Sequence, residues 1–237
     1  MSRLESFPPG GLAVVIGSGS AIGAASLEAL NASGRFAATL GFGRNSAPPL
    51  DVTSEDDWKG VAECIRAHVL PLRLVLVSTG VLKGAFGGPE KSVREIHAPA
   101  MAHAFAVNAI GPALALKHLL PLLPREGKSV FVALSARVGS IGDNRLGGWF
   151  SYRASKAALN QILHTCAIEL ARSRRDAVCV ALHPGTVETP LSAPFARSNS
   201  QRHTPAEAAQ HLLGVMDHLS ATDSGGFFDW RGQSIPW

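Results

Sequence analysis

Short runs of consecutive apolar residues, many of them β-branched, recur along the chain: LAVVIG at 12–17, FAATLGF at 36–42, LRLVLVST at 72–79, SVFVALS at 129–135 and AVCVALH at 177–183. Longer stretches with apolar residues at helical spacing separate them. A strand that is apolar along its whole length has both faces covered, so the alternation predicts an α/β fold with a doubly wound parallel sheet. One connection is too short for that pattern. Only NSAPP, residues 45–49, lies between Arg44 and LDV at 50–52, whereas a crossover between parallel neighbours takes roughly a dozen residues or more. The segment after the second strand is therefore expected to be shortened, with its helix missing and LDV at most a stub. No repeat, low-complexity tract or linker interrupts the 237 residues, and a single domain over 1–237 is expected.

Composition narrows the class. Hydrophobic residues make up 46% and charged residues 17%, which fits a packed globule and excludes a disordered chain. The formal charge of +4 is mild, and RSRR at 172–175, the densest basic cluster, reads as a solvated helix end, so no nucleic-acid partner is expected. Cys64, Cys166 and Cys179 have no CxxC or metal-site spacing and read as small buried hydrophobes. The nine histidines contain no HExxH, so no metal is expected, and His183 reads as a residue at a strand end. MSRLESFPPGG lacks an apolar signal core, and LALKHLLPLLP is broken by Lys117, His118 and Pro121, so the expectation is a cytoplasmic protein with no membrane segment.

The first apolar run ends in GSGSAIGAASLEAL, with Gly17, Gly19 and Gly23 crossing from strand to helix. Glycines at such a corner permit a tight turn, bare backbone N–H groups toward a phosphate and let helix approach strand, while the helix N-terminus adds partial positive charge. The pattern reads as the dinucleotide loop of a Rossmann-like domain, the alternative being an ordinary strand-to-helix turn. An NAD site carries an acidic residue near the end of the second strand, on the ribose hydroxyl. RFAATLGFGRNS, residues 35–46, has no Asp or Glu, and Arg44 stands where a guanidinium would meet a 2′-phosphate. NADP(H) is expected over NAD(H), unless Arg44 is simply a solvated loop residue.

SYRASKAALNQILHTCAIELARS begins at Ser151 and contains Tyr152, the only tyrosine in the chain. Tyr152 and Lys156 are four apart and share one face of the predicted helix. An ammonium beside a phenol favours the phenolate, which would lower the phenol's pKa toward neutral. Taken alone, the pair also fits a surface Tyr and Lys on an amphipathic helix.

Several ordered motifs carry a more specific signal. GSGSAIG, DV at 51–52, STG at 78–80, Asn108 in FAVNAIGPAL, LSARVGSIGDN before YRASK and PGTVETPL from Pro184 together resemble the short-chain dehydrogenase/reductase family over almost the full length. With the DSGGFFDWRGQSIPW tail they are most similar to its C-factor and sniffer-like carbonyl reductase branch. The resemblance implies hydride transfer between NADP(H) and a small-molecule carbonyl or alcohol. It implies that Tyr152 is the general acid or base, that Lys156 binds the nicotinamide ribose, and that Asn108, in a helix, keeps a relay water. For the cofactor it implies Gly17, Gly19, Ala21, Ile22 and Gly23 at the pyrophosphate and Asp51 and Val52 at the adenine. Ser78, Thr79 and Gly80 would pass beneath it, and Gly185, Val187 and Thr189 would hold the nicotinamide amide. A homodimer or homotetramer is implied as well.

The chain departs from the family pattern at three places. Ala21 replaces the middle glycine of the loop, and VSTG replaces NNAG, removing an asparagine that would brace the sheet. The family's catalytic serine stands three positions before a glycine. Counting back from Gly139 gives Ala136, with Ser135 one residue earlier and Ser140 a weaker substitute. For Ser135 to act, the strand end must be locally irregular, because a one-residue step reverses the face. A second reading is a dinucleotide sensor on the same fold. A serine hydrolase is not expected, since Ala133 and Arg137 stand where GxSxG needs glycines. Substrate is expected to meet residues 142–150 and a lid at 191–203. The apolar FFDWRGQSIPW tail is expected to dock near the pocket or on a partner.

Overall fold

The apolar runs become strands because each is covered on both sides, and alternate residues serve opposite layers. The computed structural model describes residues 3–83, 87–193 and 202–237. Its strands are β1 (Leu12–Ile16), β2 (Ala38–Phe42), β3 (Leu72–Val77), β4 (Ser129–Leu134) and β5 (Ala177–His183). Two short strands, β6 (Thr186–Val187) and β7 (Arg202–His203), pair separately, and β8 (Phe227–Asp229) completes the main sheet. The helices are α1 (Ala21–Ser33), α2 (Glu55–Ala67), α3 (Ala98–Phe105), α4 (Gly111–Leu119), α5 (Phe150–Ala171) and α6 (Pro205–His218).

Six parallel strands lie in the order β2-β1-β3-β4-β5-β8. The chain leaves β1 toward β2 on one side and resumes at β3 on the other. That reversal opens a crevice at the carboxyl ends of β1 and β3, the place where open α/β sheets bind ligands. On one face Val14, Ile16, Val75, Phe131 and Cys179 pack with Trp58, Leu116 and Leu163 of α2, α4 and α5. On the other, Ala13, Val15, Leu74, Val130 and Val180 pack with Leu30 of α1 and Leu212 and Met216 of α6. Burying each large side chain of this kind contributes roughly 1.5–3 kcal/mol.

The shortened segment is as expected. Residues 43–50 form a tight turn in which Gly43 O accepts from Ser46 N–H at 3.1 Å and from Leu50 N–H at 2.9 Å. No helix intervenes, and residues 50–52 form no strand; α2 starts after Ser54, whose side chain accepts from Asp57 N–H. Two boundaries differ from the sequence reading. β2 begins at Ala38, because Phe36 turns into the second layer and packs on Phe7 with ring centroids 5.6 Å apart. The apolar tail supplies a sixth strand, since Phe227, Phe228 and Asp229 pair in register with Ala181, Leu182 and His183.

A π-helical turn at Ala106–Ile110 joins α3 to α4, so the helix expected around Asn108 has a local bulge there. The stretch Ala98–Leu122 is long and apolar enough to cross a membrane by length and composition. In the fold it packs against α5 and α2, with Ala104, Asn108, Leu116 and Leu119 buried.

Candidate active site

At the phosphate end of the crevice, backbone geometry excludes side chains. Gly17 has φ of +81°, and a Cβ there would stand 2.8 Å from Thr79 Cγ2 and 2.9 Å from Ser78 Oγ. A Cβ on Gly23 would stand 2.2 Å from Gly17 O, so only glycine lets α1 approach β1 this closely. Gly19 faces open space. Ser20 caps α1 by accepting from Gly23 N–H at 3.1 Å. Ala21 and Ile22 form the first helical turn and are half-buried; φ is not positive at Ala21, which accommodates its methyl in place of a glycine.

Arg44 is exposed in the turn after β2, beside Gly43, where a Cβ would stand 3.9 Å from Gly19 N. Asp51 Oδ1 accepts from Thr53 N–H at 2.9 Å and Thr53 Oγ1–H at 2.7 Å, and Val52 O accepts from Trp58 Nε1–H at 3.0 Å. Together these bonds fix the turn into α2. Ser78 takes up the bracing that the missing asparagine suggested was lost: its Oγ–H lies 2.8 Å from Ile16 O and 3.2 Å from Gly17 O. Thr79 Oγ1, next to it, is buried with no hydrogen-bond partner among the described residues. A glycine cradle at a helix N-terminus, an exposed arginine beside it and an unpaired buried hydroxyl beneath it fit a dinucleotide.

At the other end, the site is built from side chains. Lys156 is buried on α5, and its Nζ donates to Leu134 O at 2.7 Å where β4 ends. A Cβ on Gly80 would stand 3.6 Å from Lys156 Nζ and 3.4 Å from Asn108 Oδ1, which brings these three together. Asn108 brackets Val81, accepting from its N–H at 2.8 Å and donating to its O at 2.9 Å. Its second amide hydrogen reaches Ser155 Oγ at 3.0 Å, and Ser155 donates to Tyr152 O at 2.9 Å. Tyr152 packs edge-on against Trp149 with centroids 6.2 Å apart. Burial pushes the Tyr152 phenol up to about 12 and brings Lys156 down to about 8. The expected lowering of the phenol by the ammonium is therefore overturned, because desolvation disfavours both charged forms.

The irregularity that Ser135 requires is absent. Its N–H continues the ladder to Leu182 O at 2.8 Å, and its buried hydroxyl donates to Asn160 Oδ1 at 2.7 Å. Ala136 follows in extended conformation. Ser140 Oγ–H is committed to Pro236 O.

Gly185 has φ of +79°, and a Cβ there would meet Trp230 Cδ1 at 2.8 Å and His203 Cδ2 at 3.1 Å. Val187 is buried in β6, and Thr189 exchanges hydrogen bonds with Ser192. Of the expected lid at 191–203, residues 194–201 lie outside the described residues. The tail docks on the body: Gly142 N–H donates to Trp237 O at 2.7 Å, and the Trp237 ring meets His164 of α5 edge-on with centroids 5.5 Å apart. Among the described residues no cluster of His, Cys, Asp and Glu could hold a metal.

Sequence reasoning missed Glu90. It is buried, it joins Val81, His103, Ser151 and Tyr152 in lining a narrow cleft, and it bonds to Ser151. Its position depends on a loop meeting α5 across 61 residues of sequence, which no local pattern records.

Residues 19–218 match the family model described as enoyl-(acyl carrier protein) reductase. C-signal of Myxococcus xanthus is 38% identical over 139 residues, covering 58% of this chain and 78% of that protein. The fold is shared with the NADPH-bound carbonyl reductase from chicken fatty liver, at a TM-score of 0.83 and 24% identity over 99% of this chain and 98% of that one. It is shared with the carbonyl reductase Sniffer of D. melanogaster too, at a TM-score of 0.82 and 20% identity over 97% of this chain and 100% of that one.

Proposed function

The chain belongs to the short-chain dehydrogenase/reductase family, and from that premise we propose that it is an NADP(H)-dependent reductase of a small-molecule carbonyl. The observation that carries this reading is the meeting of Lys156, Asn108 and Gly80 at the end of a crevice that begins in the glycine cradle, with Tyr152 one helical turn before Lys156 on α5 and tied to Asn108 through Ser155. A nicotinamide dinucleotide bound along the crevice supplies the hydride.

Tyr152 donates a proton to the carbonyl oxygen. A phenol held at about 12 is protonated at neutral pH, as a general acid must be. Lys156 keeps one hydrogen on Leu134 O and presents the rest toward Gly80, where a ribose hydroxyl would lie. Asn108 fixes the turn after Gly80 and keeps the relay water beside Lys156. Gly185, Val187 and Thr189 hold the nicotinamide amide. Arg44, with no acidic residue on β2, supports NADP(H) over NAD(H). Ser135 orients the helix through Asn160 instead of touching substrate, so the carbonyl is activated by Tyr152 and Lys156 alone. Exposed Ile110 and Ile168, on the π turn and α5, support pairing of copies, which light scattering checks. The protein would act in the cytoplasm.

Ala136 at the serine position favours one further reading, a dinucleotide sensor that binds without turnover. Fluorescence titration with NADPH and NADH, followed by NADPH oxidation with aldehydes, ketones and quinones, separates the two. Tighter NADPH binding with turnover upholds the reductase. Tight binding with no turnover across the panel upholds the sensor.

A further inference from the structure

α5 begins without a cap of its own. The residue at its N-cap is Trp149, in left-handed conformation with φ of +56°, and it offers no side-chain hydrogen bond to the first turn. Gly147 and Gly148 before it also have positive φ, at +63° and +65°, so the chain turns sharply just ahead of the proton donor. N–H groups in a first helical turn have no partner within the helix and need one from elsewhere. A bulky residue in left-handed conformation also needs outside contacts to hold it.

Glu90, in the loop between β3 and α3, supplies both. Its Oε2 accepts from Ser151 N–H at 3.2 Å, its Oε1 accepts from Ser151 Oγ–H, and its main-chain O accepts from Trp149 N–H at 2.5 Å. Arg153 holds the same turn from the other side, through Gly148 O at 2.9 Å, Gly147 O at 3.2 Å and Val138 O at 3.1 Å. Glu90 is 6% exposed, so its carboxylate is there for the protein and not for water. Burial pushes this carboxyl up, but the hydroxyl and N–H of Ser151 and its own N–H outweigh burial and keep it below the usual carboxylate range. Ser155, one turn on, ties down Tyr152 O.

We propose that Glu90 is a positioning residue for proton transfer: its carboxylate caps α5 from 61 residues away and fixes the first turn from which Tyr152 projects. The same carboxylate is a negative charge set beside the helix N-terminus, bonded to Ser151, the residue before Tyr152, and lining the same cleft as Tyr152. A negative charge there raises the energy of a neighbouring phenolate, so Glu90 helps keep Tyr152 protonated. The proposal goes beyond the reductase reading, and its kinetic part rests on it.

Because Tyr152 is the only tyrosine, phenolate absorption reports this one side chain. Stopped-flow pH jumps on wild type, Glu90→Gln, Glu90→Ala and Ser151→Ala read it before unfolding and need no substrate. In Glu90→Gln, which keeps the shape and removes the charge, the midpoint should fall by about half a pH unit. For carbonyl reduction kcat should fall about 10- to 100-fold in Glu90→Gln and Glu90→Ala, with NADPH affinity unchanged. Ser151→Ala should lie between them and wild type. A wild-type phenol midpoint together with wild-type kcat in Glu90→Gln would overturn the proposal, and the same pair of results in Ser151→Ala would do so if Glu90→Ala fails to fold. Should wild type prove inactive on every carbonyl, the reductase reading fails by itself. The shift of the phenol midpoint then still upholds the cap, and its absence still overturns it.

Discussion

The two ends of the crevice are built by different means. At the phosphate end, steric exclusion sets the two key positions: Gly17 and Gly23 sit where a Cβ would come within 2.8 Å of Thr79 Cγ2 and 2.2 Å of Gly17 O, and the glycines of the cradle lie within seven residues of sequence. At the proton-transfer end, side chains set the positions, and they come from far apart: Glu90 with Ser151, Asn108 with Ser155, Ser135 with Asn160. At Gly17 and Gly23 a single methyl would close the first kind of site. In the second, Ala136 stands where a serine was expected while Lys156 and Asn108 keep their hydrogen bonds to Leu134 O, Val81 O and Ser155 Oγ.

The contrast breaks most readily at Gly23. Gly23→Ala forces a methyl against Gly17 O, and it should abolish NADPH binding in a fluorescence titration and cost at least about 3 kcal/mol in urea unfolding. Normal binding in that variant would mean the cradle is not steric. A comparable effect, reached through pH, belongs to the other end. His183 is half-buried, and desolvation, with Arg137 nearby, holds it down to about 4 from an unfolded value near 6.5. Between those values the unfolded chain takes up the proton and the folded one does not, so stability falls as pH drops from about 6.5 to 4. The loss should reach about 3 kcal/mol in denaturant unfolding and vanish in His183→Asn.

Arg44→Ala comes next. Removing a guanidinium that pairs with a 2′-phosphate should weaken NADPH about 10- to 100-fold and leave NADH unchanged, as read by titration. An equal effect on both cofactors would place Arg44 outside the site. The smallest expected effects separate Ser135 from Ala136. Ser135→Ala removes a buried hydrogen bond to Asn160 and should cost about 1–2 kcal/mol of stability with little change in kcat/KM. Ala136→Ser should raise kcat/KM. If Ser135→Ala instead lowered kcat/KM like a catalytic variant, the serine would be working from the shifted position after all.

The same contrast governs how much was legible in the sequence. The buried strands, the glycine turn and the missing helix after Arg44 are local facts, written in apolar runs and in a connection too short to cross over. Tyr152 and Lys156 are legible because helical spacing alone puts them on one face. The sixth strand was not, because FFD reads as an apolar tail until it pairs with β5. The same holds for the π turn at Asn108, for Trp149 in left-handed conformation and for Glu90, each fixed by contacts distant in sequence. The direction of the phenol's shift was misjudged for a related reason. Proximity to Lys156 can be read from spacing, whereas burial by the surrounding fold cannot, and burial dominates.

The most direct test of the central claim is single-turnover mixing of NADPH-bound protein with a reactive carbonyl, for wild type and Tyr152→Phe, with NADPH affinity measured in parallel. Loss of the one phenol should slow NADPH oxidation by about 10²- to 10⁴-fold while binding stays intact. Turnover in Tyr152→Phe at the wild-type rate would contradict the assignment of Tyr152 as the proton donor.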